Sequence, residues 1–209
     1  MLKKTDLGKC KKLLDSGLSL VCIGDKKIPN FRWKIRQTEA YTKEQFEKDW
    51  SYAGGIIKKD GSEIPATGGV GIVTGYNGIE VFDIDLKIFA SLKEQQDFWN
   101  EYVKFLSDNI NDFDDKFVIY KTVNNGYHII YRCAKIGGNE KVAKLKGHNE
   151  AIIETRGIGG YVFIYENQVS KKSYYEIQEI SELDRDVLFS VSRFYNYIEE
   201  KDQVIPEAH

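Results

Sequence analysis

Gly78-Ile79-Glu80-Val81-Phe82-Asp83-Ile84-Asp85-Leu86 reads as a buried β-strand with two carboxylates set two residues apart. Side chains at i and i+2 of a strand share a face, so Asp83 and Asp85 project together while Phe82, Ile84 and Leu86 fill the other. Two like charges side by side in an apolar strand repel each other and are costly to desolvate. A divalent cation relieves both costs, and hard carboxylate oxygens suit Mg²⁺ or Mn²⁺. Taken alone, so short a pattern favours two aspartates facing solvent at a strand end. Any further meaning has to come from the rest of the chain.

The chain has 209 residues, 42% of them hydrophobic and 13% aromatic, enough for one sizeable domain or two small lobes sharing a core. A formal net charge of −2 gives no global attraction to nucleic acid, so such binding has to use local basic patches or bound metal. Cys10, Cys22 and Cys133 are far apart and form no Cys-x-x-Cys pair, which argues against a zinc ribbon or a disulfide framework. The apolar run at 18–23 is too short for a secretion signal or a membrane span, so no membrane association and a cytoplasmic, reducing setting are expected.

Residues 7–15 carry Leu7, Cys10, Leu13 and Leu14 on one helical stripe, and 18–23 reads as a strand. Thr42 with Gln45 and Ser91 with Glu94 open helices as capping pairs, the second with an apolar face of Phe98, Tyr102, Phe105 and Leu106. Residues 54–69 read as a loop or hairpin. Residues 70–74 and 79–86 read as strands joined in a hairpin by Tyr76-Asn77-Gly78, because Asn-Gly tolerates positive φ. A second Asn-Gly turn, Asn125-Gly126, joins strands at 117–122 and 127–132, after an acidic loop at 108–115. The basic segment 135–149 reads as a short helix with Val142 and Leu145 inward. Residues 151–155 and 160–165 read as a strand pair, and 174–177 as a short strand. Ser181 with Asp184 opens a last helix on which Leu183, Val187, Leu188, Val191, Phe194, Tyr195 and Ile198 recur, before a flexible polar tail at 201–209.

Two more polar residues interrupt apolar strands: His128, within Tyr127-His128-Ile129-Ile130, and Glu154, within Ile152-Ile153-Glu154. A lone buried His or a Glu at a strand end is usually structural or solvated. Three departures on successive strands point to a shared site, because local rules break where function needs them to. The chemistry that uses such a set is nucleotidyl transfer. Asp83, Asp85 and Glu154 would hold two metal ions, and His128 would contact the triphosphate of an incoming nucleotide. Arg156, on the same strand face as Glu154, could meet a phosphate as well.

This order of motifs resembles the archaeo-eukaryotic primase superfamily, and within it the primase-polymerase domains of phages, plasmids and mobile elements. The family's Asp-x-Asp, small-residue-x-His and late acidic elements correspond to Asp83-Ile84-Asp85, Gly126-Tyr127-His128 and Ile152-Ile153-Glu154. Lys27-x-Pro29 followed by Trp33, and Gly157-Ile158-Gly159-Gly160-Tyr161-Val162 after the late acid, are similar too. The resemblance implies an α+β fold: a small N-terminal α/β unit fused to an RRM-like antiparallel sheet with flanking helices, in one catalytic domain at 1–200. It implies Asp83, Asp85 and Glu154 as catalytic metal ligands, with His128, Arg156, Gly126 and Thr122 toward the nucleotide. Two positions depart from the pattern. Gly126 stands where the family usually has Ser or Thr, so a hydroxyl would have to come from Thr122. Phe163-Ile164-Tyr165 replaces a Pro-Pro-Ser-like element, whose role does not carry over.

The expected activity is that of a metal-dependent DNA primase or polymerase, using Mg²⁺ or Mn²⁺, nucleoside triphosphates and a single-stranded DNA template. The final helix and tail would suit a domain fused to, or associated with, a helicase. Two other classes compete. A non-catalytic module binding single-stranded DNA or a replication origin has no need of three carboxylates, and a metal-dependent nuclease would use the same Asp-x-Asp and His. Lys26, Lys27, Arg32, Lys34 and Arg36 form one basic stretch and Lys141, Lys144, Lys146 and His148 another. Each reads as a nucleic-acid contact or as a solvated face.

Overall fold

The structure, a computed structural model, describes residues 6–24, 27–29, 32–51, 56–57, 63–64 and 69–197. The expected tail, Lys26, Ile198 and much of the expected loop at 54–69 lie outside the described residues. Helix α1 (Leu7–Asp15) opens on Asp6, whose side chain accepts from the Lys9 N–H, and buries Cys10 and Leu13. It leads into β1 (Leu20–Ile23). Helix α2 (Lys43–Ser51) begins at the reciprocal Thr42–Gln45 pair. Strands β2 (Ile56–Ile57) and β3 (Glu63–Ile64) pair with each other. Next come β4 (Gly69–Val73), β5 (Ile79–Ile84) and the long helix α3 (Leu92–Asn109), started by the Ser91–Glu94 capping box. The short α4 (Phe113–Lys116) precedes β6 (Val118–Lys121), β7 (Tyr127–Arg132), β8 (Glu140–Ala143), β9 (Ile153–Arg156), β10 (Tyr161–Phe163) and β11 (Asn167–Gln168). Helix α5 (Glu182–Phe194) closes the described fold, capped by Ser181.

The result is a mixed α+β fold on antiparallel sheets. Six strands in the order β11-β6-β7-β5-β9-β8 form the large sheet, and β1-β4-β10 form a small one. The two faces of β5 explain the layering. Phe82 and Ile84 point into a core shared with Trp99, Tyr102 and Leu106 of α3 and with Leu188, Phe189 and Val191 of α5. Trp99 stacks on Tyr127 at 3.6 Å with the rings 5° from parallel. Ile79 and Val81 point the other way, into a second core with the buried residues of β1 and β4 and with Cys10, Leu13 and Phe46 of α1 and α2. The large sheet is thus covered by helices on one face and by the small sheet on the other. No helix among the described residues is long and apolar enough to cross a membrane.

Several expectations about local pairing are corrected. The Tyr76-Asn77-Gly78 turn forms, with Asn77 at φ 48° and Gly78 at φ 69°, but it does not close a hairpin. It passes the chain from the small sheet to the large one, because β4 is flanked by β1 and β10 while β5 is flanked by β7 and β9. For the same reason β9 and β10 are not a pair. The basic segment contains a strand, not a helix: β8 completes an edge beside β9, burying Val142 and Ala143. Residues 174–176 form a 3₁₀ turn in place of a strand, held by a Ser173–Glu176 capping box and by Tyr174 stacked on Tyr120. The acidic loop contains α4, anchored by buried Phe113. On α5, Leu183 and Phe194 are exposed, off the stripe of Leu188, Phe189 and Val191.

Candidate active site

On the face of β5 that carries Ile79 and Val81, the next outward position is Asp83, where the apolar core gives way to a polar row. Register makes that row continuous across the large sheet. Tyr120 on β6 stands opposite His128 on β7, His128 opposite Asp83, Asp83 opposite Glu154 on β9, and Glu154 opposite Lys141 on β8. Directly opposed residues share a face at the closest cross-strand spacing. Asp83 therefore sits at the centre, with His128 on one side and Glu154 on the other. Asp85 follows just past the end of β5, its N–H donating to the Ile152 carbonyl at 2.9 Å.

Two clefts meet along this row. The larger, about 410 Å³, lies between the polar row and the small sheet. Its walls include Asp83, Asp85, Thr122, His128 and Arg156 from the large sheet side, faced by Lys27, Tyr161 and Tyr165. Lys27 Nζ donates to the Tyr165 hydroxyl at 3.0 Å, and the Tyr161 hydroxyl donates to the Lys27 carbonyl at 3.0 Å. Tyr165 also meets the His128 ring edge-on at 5.2 Å. The second cleft, on the β8–β9 side, includes Asp83, Asp85, Glu154 and Arg156 in its lining.

His128 is 4% exposed. Burial pushes its imidazole below the ordinary value against the pull of Asp83, with Lys27 and Arg156 adding to the depression, so the ring is neutral at physiological pH. Its Nε2 is 3.6 Å from Asp83 Oδ1, beyond hydrogen-bond reach, and its Nδ1 is a buried polar atom with no partner among the described residues. A buried unpaired nitrogen in a cleft wall is costly unless a ligand meets it.

Each carboxylate is countered by a cation. Arg156 Nη2 donates to Glu154 Oε2 at 2.7 Å and lies 3.5 Å from Asp83 Oδ2. Lys87 Nζ lies 3.1 Å from Asp85 Oδ2 and 2.7 Å from Glu150 Oε2. Among the described residues no three His, Cys, Asp or Glu side chains are already gathered around a point that could hold a metal ion. The donor chemistry fits a hard divalent cation all the same. Asp83, Asp85 and Glu154 line one cleft together with Glu150, and the partner of each is a positive side chain, the charge that a metal ion would replace.

Gly126 is not part of the cleft wall. Its N–H donates to Thr122 Oγ1 at 3.0 Å, and it is Thr122 that reaches the cleft. A Cβ at 126 would lie 2.3 Å from the Ile84 carbonyl oxygen and 3.2 Å from Thr122 Oγ1. The backbone of β5 leaves no room for a side chain here. Gly126→Ser should cost about 2 kcal/mol of unfolding free energy through this clash. Urea denaturation would measure it; a stability equal to the native protein would mean that β5 yields easily.

The structure brings Asp83, Asp85, Glu154, His128, Arg156 and Thr122 to one place. Reading the sequence did not single out Lys87, Glu150 or Asn139 (Asn139 lines the larger cleft). Lys87 had a signal, lying two residues after Asp85, whereas Asn139 and Glu150 come from connections flanking β8 and had none. Tyr165, within the stretch that departs from the family pattern, supplies a cleft wall. A family model described as bifunctional DNA primase/polymerase, N-terminal, matches residues 11–185. No curated protein matches the chain.

Proposed function

Because the chain belongs to the bifunctional DNA primase/polymerase N-terminal family, we propose that it is a template-directed nucleotidyltransferase that joins nucleoside triphosphates on single-stranded DNA. The observation that carries this reading is the register row, with Asp83 directly between His128 and Glu154. The order β6-β7-β5-β9 with α3 between β5 and β6 supports an RRM-like reading of the large sheet, with residues 1–200 as one catalytic domain.

Asp83, Asp85 and Glu154 would hold Mg²⁺ or Mn²⁺. When bound, the metal supplies positive charge to the attacking and leaving oxygens of an in-line displacement. The larger cleft has the size of a small-ligand site. Within it His128 offers a neutral imidazole to a triphosphate oxygen, Thr122 a hydroxyl, and Lys27 and Arg156 positive charge. Gly126 acts only through the Thr122 hydroxyl that it holds. Tyr161 and Tyr165 offer ring faces and hydroxyls to the sugar and base. In the reaction an acceptor 3′-oxygen bonds to the α-phosphorus while the bond from that phosphorus to the bridging oxygen breaks. Pyrophosphate leaves with the electron pair, and the hydroxyl proton passes to water.

The test is an incorporation assay on a single-stranded template with and without primer, comparing dNTPs with NTPs in Mg²⁺ and in Mn²⁺. Template-dependent elongation is the expected result. Shortening of the primer would assign a nuclease, and binding without either change would assign a non-catalytic DNA-binding module.

A further inference from the structure

The polar row does not stop at the carboxylates. Lys141 on β8 stands directly opposite Glu154, is exposed, and joins no ion pair among the described residues. With Lys87 and Arg156 it lines the second cleft, a space of about 280 Å³. That cleft shares Asp83, Asp85 and Arg156 with the larger one, so the two aspartates form a ridge with a cleft on each side. The linings differ in kind. The larger cleft has two tyrosine rings, a phenylalanine, an imidazole, amide side chains and two basic side chains, whereas the second, among the described residues, has no aromatic ring and sets three basic side chains beside four carboxylates.

In-line phosphoryl transfer places the attacking oxygen and the departing group on opposite sides of the phosphorus. A nucleotide seated in the larger cleft, with its α-phosphorus at the ridge, sends pyrophosphate away on that side. The nucleophile then has to arrive from the other. We propose that the second cleft receives the 3′ end of the acceptor strand, and that Lys141 and Lys87 bind its terminal phosphates. This rests on the nucleotidyltransferase reading above. A terminal base already paired with its template needs no stacking ring, and what the strand presents to this cleft is backbone charge, which lysines meet. Lys87 is shared between Asp85 and Glu150, so the uncommitted Lys141 is the residue to test.

Fluorescence anisotropy would compare three labelled ligands: a primed template with a recessed 3′ end, the unprimed strand, and a nucleoside triphosphate. Each would be titrated over a range of salt against the native protein, Lys141→Ala and Lys141→Glu. For Lys141→Ala the slope of log K against log salt on the primed template should fall by about 0.9, the loss of one phosphate contact, with binding several-fold weaker. Lys141→Glu should weaken it further. Binding of the unprimed strand and of the nucleotide should be unchanged in both. An unchanged slope on the primed template overturns the proposal. An equal fall on the unprimed strand also overturns it, by making the cleft a template site, and so does a loss confined to the nucleotide. Incorporation by the native protein, measured alongside, separates the two levels. Its absence removes both readings, whereas intact incorporation with an unchanged slope removes only the acceptor cleft.

Discussion

Asp83→Asn should leave the protein folded and slow nucleotide incorporation by at least about a thousandfold, roughly 4 kcal/mol of transition-state stabilisation. The substitution keeps the shape of the side chain and removes its charge. Asp83 is central to the site: it lies opposite His128 and Glu154, 3.5 Å from Arg156, and, like Asp85, on the wall of both clefts. On the proposed reading it is the carboxylate on which a metal ion and the reacting phosphate both depend, and an amide oxygen is a far poorer partner for a hard cation. Stability should move little, within about 0.5 kcal/mol. Arg156 keeps its closer bond to Glu154, and one of two neighbouring negative charges is gone. Primer extension measures the first effect and thermal melting the second, with Mn²⁺ calorimetry expected to lose its heat. A variant that extends primers at the native rate would return the aspartates to two solvated carboxylates at a strand end.

Three helices were legible because their signals are local. The Ser91–Glu94, Thr42–Gln45 and Ser181–Asp184 pairs each satisfy an N–H within one turn, so three or four residues carry the whole message. Sheet partnership is not local. Gly75 to Gly78 reverses the chain whether or not β4 and β5 pair, and nothing in those residues reports that β5 takes its hydrogen bonds from strands some 45 and 70 residues on. The error with 135–149 has a related cause. Glu140-Lys141-Val142-Ala143 is too short for its period to separate helix from strand, and the edge of β9 decides it.

The gathering of Asp83, His128 and Glu154 could be read because each breaks an apolar run, and motif order related the three. The place of Lys141 could not, since a lysine in a basic segment breaks no pattern until the register sets it beside Glu154. Glu80 is the opposite case: a charge inside the same strand as Asp83 that belongs to no motif.

Glu80 predicts the larger loss of stability on the same strand. It lies three residues before Asp83 and on the opposite face, toward α5, and it is fully buried. Its carboxylate accepts from Arg185 Nε at 2.6 Å and Nη2 at 3.0 Å, from the Tyr131 hydroxyl at 2.5 Å and from the Gly137 N–H at 3.3 Å. These bonds tie α5 and the β7–β8 connection to the middle of the large sheet. Glu80→Ala strands a guanidinium whose side chain is 15% exposed, together with a buried hydroxyl, and should cost about 3–5 kcal/mol. Arg185→Ala should cost a similar amount, because it leaves a buried carboxylate with too few partners. The double change Glu80→Met with Arg185→Met should recover most of the loss, since desolvating both charges offsets much of what their attraction returns. Chemical denaturation of the three variants decides it. If either single variant unfolds at the native midpoint, the pair does not anchor α5. Glu80 and Asp83 then form an internal control. One carboxylate of β5 is satisfied by four donors and serves the fold; the other is left 27% exposed beside an imidazole whose Nδ1 has no partner among the described residues, and on the proposed reading it serves the site. A stability loss at Glu80 with incorporation lost only in proportion to unfolding, set against an activity loss at Asp83 with stability retained, is the pattern that a strand with one structural face and one chemical face has to give.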